Sequence, residues 1–141
     1  MRHLKSLIVA ATLLLVTAGS CLADEKASVE KAQTAAASWL ALTDATKYGP
    51  SWDEAASLFK AAVTKANWES ALEGVRAPLG AVKSRKLKTA SFTRTLPGAP
   101  DGEYVVIQFD TQFEGKAAAV ETITPMREKD GSWRVSGYFI K

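Results

Sequence analysis

Residues 103–113 read E-Y-V-V-I-Q-F-D-T-Q-F. Val105, Ile107, Phe109, Thr111 and Phe113 alternate against Tyr104, Val106, Gln108, Asp110 and Gln112. A period of two sends successive side chains to opposite faces, so this is a strand with one face turned to a core. The surrounding chain extends it into a sheet. Upstream, the turn cluster Pro97-Gly98-Ala99-Pro100-Asp101-Gly102 separates it from a Thr-, Ser- and Lys-rich strand predicted over 87–95. Downstream, Gly115 marks a hairpin into 117–127, and Asp130-Gly131 marks another into 133–140. The pattern predicts four antiparallel strands.

Before Gly80 the period is helical. Val29, Ala32, Ala36, Trp39, Leu40 and Thr43 recur at 3.6-residue spacing, predicting a helix over 27–47 that Gly49-Pro50 stops. Ser51-Trp52-Asp53-Glu54 has the form of a capping box opening a second helix, with Trp52, Ala55, Ala56, Phe59, Ala62 and Val63 on one side. A third helix begins near Asn67 and carries Trp68, Ala71, Leu72 and Val75. Pro78 should end it, because proline disfavours helix at Ala77. Three helices followed by a four-stranded meander define an α+β domain, with the helices on one face of a curved sheet.

The first segment has a different grammar. Arg2, His3 and Lys5 precede an uncharged, Leu- and Ala-rich run from Leu7 to Gly19, then small residues and Asp24-Glu25. This is the pattern of a secretory signal, and the run is shorter than the about 20 residues a spanning helix requires. Two cuts compete. Cys21-Leu22-Ala23 is a small-x-small site with cleavage between Ala23 and Asp24. Ala18-Gly19-Ser20 before Cys21 resembles a lipobox, in which Cys21 would be lipidated and would tether the protein to a membrane. Ala18 stands where a larger aliphatic is usual, which favours the soluble cut. The expected location is periplasmic or secreted, with a membrane-anchored lipoprotein as the alternative.

The soluble cut removes 23 of 141 residues and leaves a single domain of 118, spanning 24–141. Arg2 and Lys5 leave while all 15 acids stay, so 16 basic residues face 15 acidic ones and the net charge is +1. The basicity belongs largely to the leader and gives no basis for nucleic-acid binding. His3 and Cys21 are the chain's only histidine and only cysteine, and both are lost. A mature domain without imidazole or thiol has no Ser-His-Asp triad, cysteine nucleophile, zinc-finger site or internal disulfide. Neither a cofactor motif nor a metal-ligand cluster appears.

Four stretches together resemble one bacterial family: SWDEAASLFKAAV, NWESALEGVRAPLGAVKSRKL, LPGAPDGEYVVIQFDTQF and ETITPMREKDGSWRVSGYFIK. The family is the one catalogued as domain of unknown function 4019, and the resemblance runs from about Ala37 to Lys141. It implies an exported, small single domain and carries no catalytic residue with it. The element order is also similar to the cystatin-like and nuclear-transport-factor-2-like cone folds, which host enzymes and non-enzymes alike.

Candidate chemistry is sparse. Arg76 and Arg85 bracket the Pro78-Leu79-Gly80 turn, and two guanidiniums brought together would suit a carboxylate or phosphate. The structural alternative pairs Arg76 with an internal carboxylate such as Glu121. A carboxylate, Glu121 or Asp110, beside a tyrosine, Tyr104 or Tyr138, would form an acid-base pair if it pointed into an apolar cavity. Lys83, Arg85, Lys86 and Lys88 form a basic stretch whose lysines read as guards of an exposed strand edge, with attraction to anionic lipid or envelope phosphate as the alternative. Trp39, Trp52, Trp68 and Trp133 read as packing anchors, one of which has the surface for stacking a ligand. The composition points to a non-enzymatic binding or accessory domain. Its expected partner is a small molecule or an envelope protein, with self-association through the sheet face as a further option.

Overall fold

The first helix carries two alanines, Ala32 and Ala36, that are wholly buried where it meets the sheet. Side chains this small allow close approach, and Trp39 and Leu40 fill the space beyond them. The computed structural model describes residues 18–141. In it α1 (Ala18–Asp44), α2 (Tyr48–Asp53), α3 (Ser57–Ala62) and α4 (Lys65–Leu79) precede β1 (Val82–Thr93), β2 (Tyr104–Phe113), β3 (Lys116–Arg127) and β4 (Trp133–Ile140). The sheet is antiparallel throughout in the order β1-β2-β3-β4. α1 contacts all four strands. Val105, Ile107, Ile123 and Val135 meet Trp39, Leu40, Trp68 and Leu72 in one core. The α+β class and the hairpin meander are as expected.

The helix layer differs from expectation in three ways. α1 ends at Asp44, before Gly49-Pro50. Its stop is a Schellman turn: the Lys47 N–H donates to Leu42 O at 2.9 Å and the Thr46 N–H to Thr43 O at 3.1 Å. Thr46 takes the left-handed position at φ 59° that glycine normally fills. Gly49 and Pro50 lie in the first turn of α2, where proline's missing N–H would have had no helical partner. Ser51 is buried inside α2 and caps nothing. Its hydroxyl donates to Tyr48 O at 2.6 Å and accepts from the Trp68 indole at 3.0 Å, while its carbonyl accepts from the Trp39 indole at 2.8 Å.

The expected second helix is therefore two. The chain breaks at Ala55-Ala56, both fully buried, where the Ala56 N–H donates to Val135 O of β4 at 2.8 Å. α3 is capped from a distance: Glu128, in the β3–β4 connection, accepts from the Ser57 N–H at 2.8 Å. α4 continues through Pro78 to Leu79, and its buried stripe is Trp68, Leu72 and Arg76. Val75, expected in the core, is exposed. Proline in the last turn removes only the ladder bond to Gly74, whose exposed backbone is open to water, and the hairpin between β2 and β3 caps the helix end separately. The Gly115 N–H donates to Leu79 O at 2.8 Å.

β1 begins at Val82, five residues earlier than its composition suggested. Residues without apolar alternation are held there by pairing with Asp110–Phe113 of β2. The register shift between Leu87 and Thr89 leaves Lys88 as a bulged residue, and Lys83, Lys86 and Lys88 are exposed along this outer strand. Bulge and lysines both oppose edge-to-edge pairing. Pro125 lies at another irregularity, between Thr124 and Pro125 of β3, as suits a residue without an N–H.

Two substitutions test these accounts. A Cβ on Gly115 would stand 2.4 Å from the Pro78 carbonyl oxygen. Gly115→Ala should lower the unfolding free energy by about 2 kcal/mol in urea titration. Thr46→Gly, which removes the left-handed strain, should raise it by about 0.5–1 kcal/mol.

Candidate functional site

Both long helices and all four strands send one polar side chain to the same place. Asp44 ends α1, Arg76 lies in the last turns of α4, and Arg85, Thr111, Glu121 and Tyr138 come from β1, β2, β3 and β4. The register explains the sheet members. Arg85 is directly opposite Thr111, while Glu121 is opposite Phe109 and Ile140, so Thr111 and Tyr138 are its diagonal neighbours on the core face.

Arg85 is the hub. Its Nε and Nη2 donate to Glu121 at 2.7 and 3.2 Å, and its Nη1 and Nη2 donate to Asp44 at 2.8 and 3.0 Å. The planar guanidinium thus grips a carboxylate along each of two sides. Arg76 reaches Asp44 from the other direction at 2.8 Å, donates to the Thr43 hydroxyl at 3.1 Å, and lies 5.1 Å from the Phe113 ring centroid. Its Nε is buried without a hydrogen-bond partner. Glu121 is 0% exposed. Besides Arg85 it accepts from the Thr111 hydroxyl at 2.5 Å and from the Tyr138 hydroxyl.

Two arginines face two carboxylates, so the cluster is neutral in sum. Burial opposes the charge on Asp44, but the hydrogen bonds from Arg85 and then Arg76 outweigh it and hold its carboxyl below the usual range. Burial likewise opposes the charge on Arg85, and bonding to Asp44 and Glu121 more than reverses that. Tyr138 is pushed upward, first by burial and then by the charge of Glu121, and so remains a phenol. A cleft of 590 Å³ opens beside the cluster, lined by Asp44, Thr46, Tyr48, Glu73 and Arg76.

The arrangement brings Arg76, Arg85, Glu121 and Tyr138 together out of the residues singled out in the sequence. Arg76 pairs with Asp44, and it is Arg85 that pairs with Glu121. Asp110 is at the surface, 3.8 Å from Lys88, and does not point into an apolar cavity. Tyr104 is buried at the other end of β2 and donates to Pro100 O at 2.6 Å, which pins the β1–β2 loop. Asp44 and Thr111 were missed. Asp44 had one legible signal, being an acid in the last turn of a helix, where the dipole disfavours negative charge unless a cation answers it. Thr111 had none beyond its place in the alternation.

Chemically, the cluster is closed. Glu121 spends both oxygens on four internal hydrogen bonds, which exhausts the acceptor capacity of a carboxylate. Neither guanidinium has uncompensated charge for an anion. Among the described residues no group of His, Cys, Asp and Glu is placed to hold a metal ion. Cys21, Ala23 and Asp24 are exposed on the first turns of α1. Most of the apolar leader lies outside the described residues, among which no helix is long and apolar enough to cross a membrane.

The family model described as "Protein of unknown function (DUF4019)" matches residues 35–138. The chain belongs to that family. The matched span of this DUF4019 protein runs from the middle of α1 into β4 and contains every residue of the buried cluster. No curated protein matches the chain.

Glu121→Ala should destabilise the fold by about 3–5 kcal/mol in urea, because Arg85 would keep its charge in a partly buried site with half its partners gone. Asp44 sets an acid limit. Its folded-state pKa lies below its unfolded value, so the stability it contributes is present above the unfolded carboxylate range and is lost as pH falls through the folded value. Thermal melts should therefore steepen downward below about pH 4, and Asp44→Asn should flatten that limb.

Proposed function

We propose that this protein is an exported accessory or binding domain of the bacterial cell envelope that performs no bond chemistry of its own. One observation carries the reading. Glu121 is the only fully buried carboxylate among the described residues, and it is saturated by Arg85, Thr111 and Tyr138. A general base needs a free lone pair within reach of a substrate proton. Composition supports the same conclusion, since a chain cut after Ala23 contains neither histidine nor cysteine. The cluster then serves as a rigid tie between helices and sheet, on which a recognition surface is carried.

The export half of the proposal rests on the leader's grammar. In α1 the first fully buried residue is Ala32, and Cys21, Leu22, Ala23 and Asp24 on either side of the proposed cuts are exposed. Retention of Cys21 with a lipid would leave the same core intact on a short helical spacer.

The intact mass of the protein from its native host tests location. A soluble species beginning at Asp24 supports release, an acylated species beginning at Cys21 supports a tethered domain, and an uncut cytosolic species overturns export. Glu121→Gln tests chemistry. A lower melting temperature with unaltered biological function where the variant remains folded is the expected result. Loss of a turnover by a folded variant would establish the acid-base alternative built on Glu121 and Tyr138.

A further inference from the structure

Three of the four tryptophans spend their indole N–H inside the protein: Trp39 on Ser51 O, Trp52 on Val63 O and Trp68 on the Ser51 hydroxyl. Trp133 does not. Among the described residues its N–H has no acceptor, and it is not one of the buried unsatisfied atoms either. Trp133 opens β4 and is half-buried, and it lines two adjoining grooves of 360 and 530 Å³. Both grooves also contain Ala35 and Ser38 of α1, so they form one channel between the helix and the start of β4. Trp133 packs against the core on one side, and the small residues Ala35 and Ser38 on α1 leave it only half-covered.

We infer that this channel binds an uncharged, linear glycan, with a sugar ring stacked on Trp133. The rim argues for a neutral ligand. Its charged residues are Glu30 and Lys31 on α1, Glu54 after α2, and Arg134 on β4, two of each sign. Such a rim does not select an anion or a cation, but it offers hydrogen-bond donors and acceptors in equal measure. Glu54, which is exposed, and Arg134, which is half-exposed, are only loosely paired at 3.8 Å, and Arg134 Nη1 also reaches the Glu54 carbonyl at 3.5 Å, so each keeps further hydrogen-bond capacity. A pyranose matches this combination. One face presents C–H groups that pack on an aromatic ring, and the hydroxyls around its edge need both donors and acceptors. An extended peptide fits less well. Strand addition beside β4 would need Val135 O, which the Ala56 N–H already occupies. The volumes lie within the usual range for small-ligand sites of about 300–1,000 Å³.

The inference deepens the reading of a binding domain and rests on it. It is tested by titrating the ¹⁵N-labelled protein with cellotetraose and with chitotetraose while following the four indole resonances. The Trp133 resonance should move saturably with at least one probe, with a dissociation constant of about 1 mM or tighter, while the three internally bonded indoles stay in place. Ser38→Trp fills the channel from an exposed position on α1 and should weaken binding at least tenfold without lowering the melting temperature. No saturable movement of Trp133 with either probe up to about 10 mM overturns the inference, and so does binding that survives Ser38→Trp. Either failure, with Glu121→Gln still showing no lost turnover, removes the glycan and leaves the binding-domain reading standing. A turnover lost in Glu121→Gln removes the reading itself.

Discussion

A carboxylate with no access to water must be answered by the protein, and Glu121 is such a carboxylate. Its donors come from β1, β2 and β4, so its own strand is tied to every other strand of the sheet. Arg85 cannot serve Glu121 alone without leaving half its fork unpaired, and Asp44 takes that half. Asp44 then draws Arg76 from α4. One buried charge thus propagates through three further ions until both long helices are attached to the sheet. The chain of pairs ends at Arg76 Nε, the one buried polar side-chain atom without a partner among the described residues.

Such a network is poor at adding net stability, because desolvating four ions costs about as much as their pairing returns. Its effect is on specificity. Apolar packing between Ala32, Ala36 and the sheet would tolerate a slide of α1 along its axis, whereas the two-sided grip of Arg85 on Asp44 does not. A slip of β1 by one residue would send Arg85 to the opposite face and strand Glu121. The bulge at Lys88 lies close by, and the register on its Arg85 side is held by this contact. The end of α1 at Asp44 is fixed by charge beside the cleft that Asp44 and Arg76 line, while residues from Glu30 to Leu42 border the channel at Trp133.

Legibility followed the range of the interactions. The alternation in 103–113 and the Asp130-Gly131 turn are local, and they placed β2 and β4 to within a residue of where they lie. Local signals failed where a distant group intervened. Ser51-Trp52-Asp53-Glu54 has capping-box form, yet Ser51 is buried because the indoles of Trp39 and Trp68 converge on it. Pro78 did not stop α4, because it lies in the last turn and takes a donor only from Gly74, which is exposed to water, while the Gly115 N–H separately caps the carbonyl of Leu79. Arg76 displaced Val75 from the buried stripe because its charge had a partner 32 residues away.

The sequence by itself determined the α+β order, the four strands and the helix-forming stripe of α1, since each depends on neighbours within a few residues. It also fixes that a chain cut after Ala23, as proposed, would hold neither histidine nor cysteine. Tertiary structure alone decided which carboxylate answers which arginine, that Glu121 is saturated, and that one tryptophan of four finds no acceptor for its N–H among the described residues. The reason is physical. Periodicity reports which face of an element is apolar, but the fate of a polar group depends on what stands opposite it, and that is supplied by segments tens of residues away.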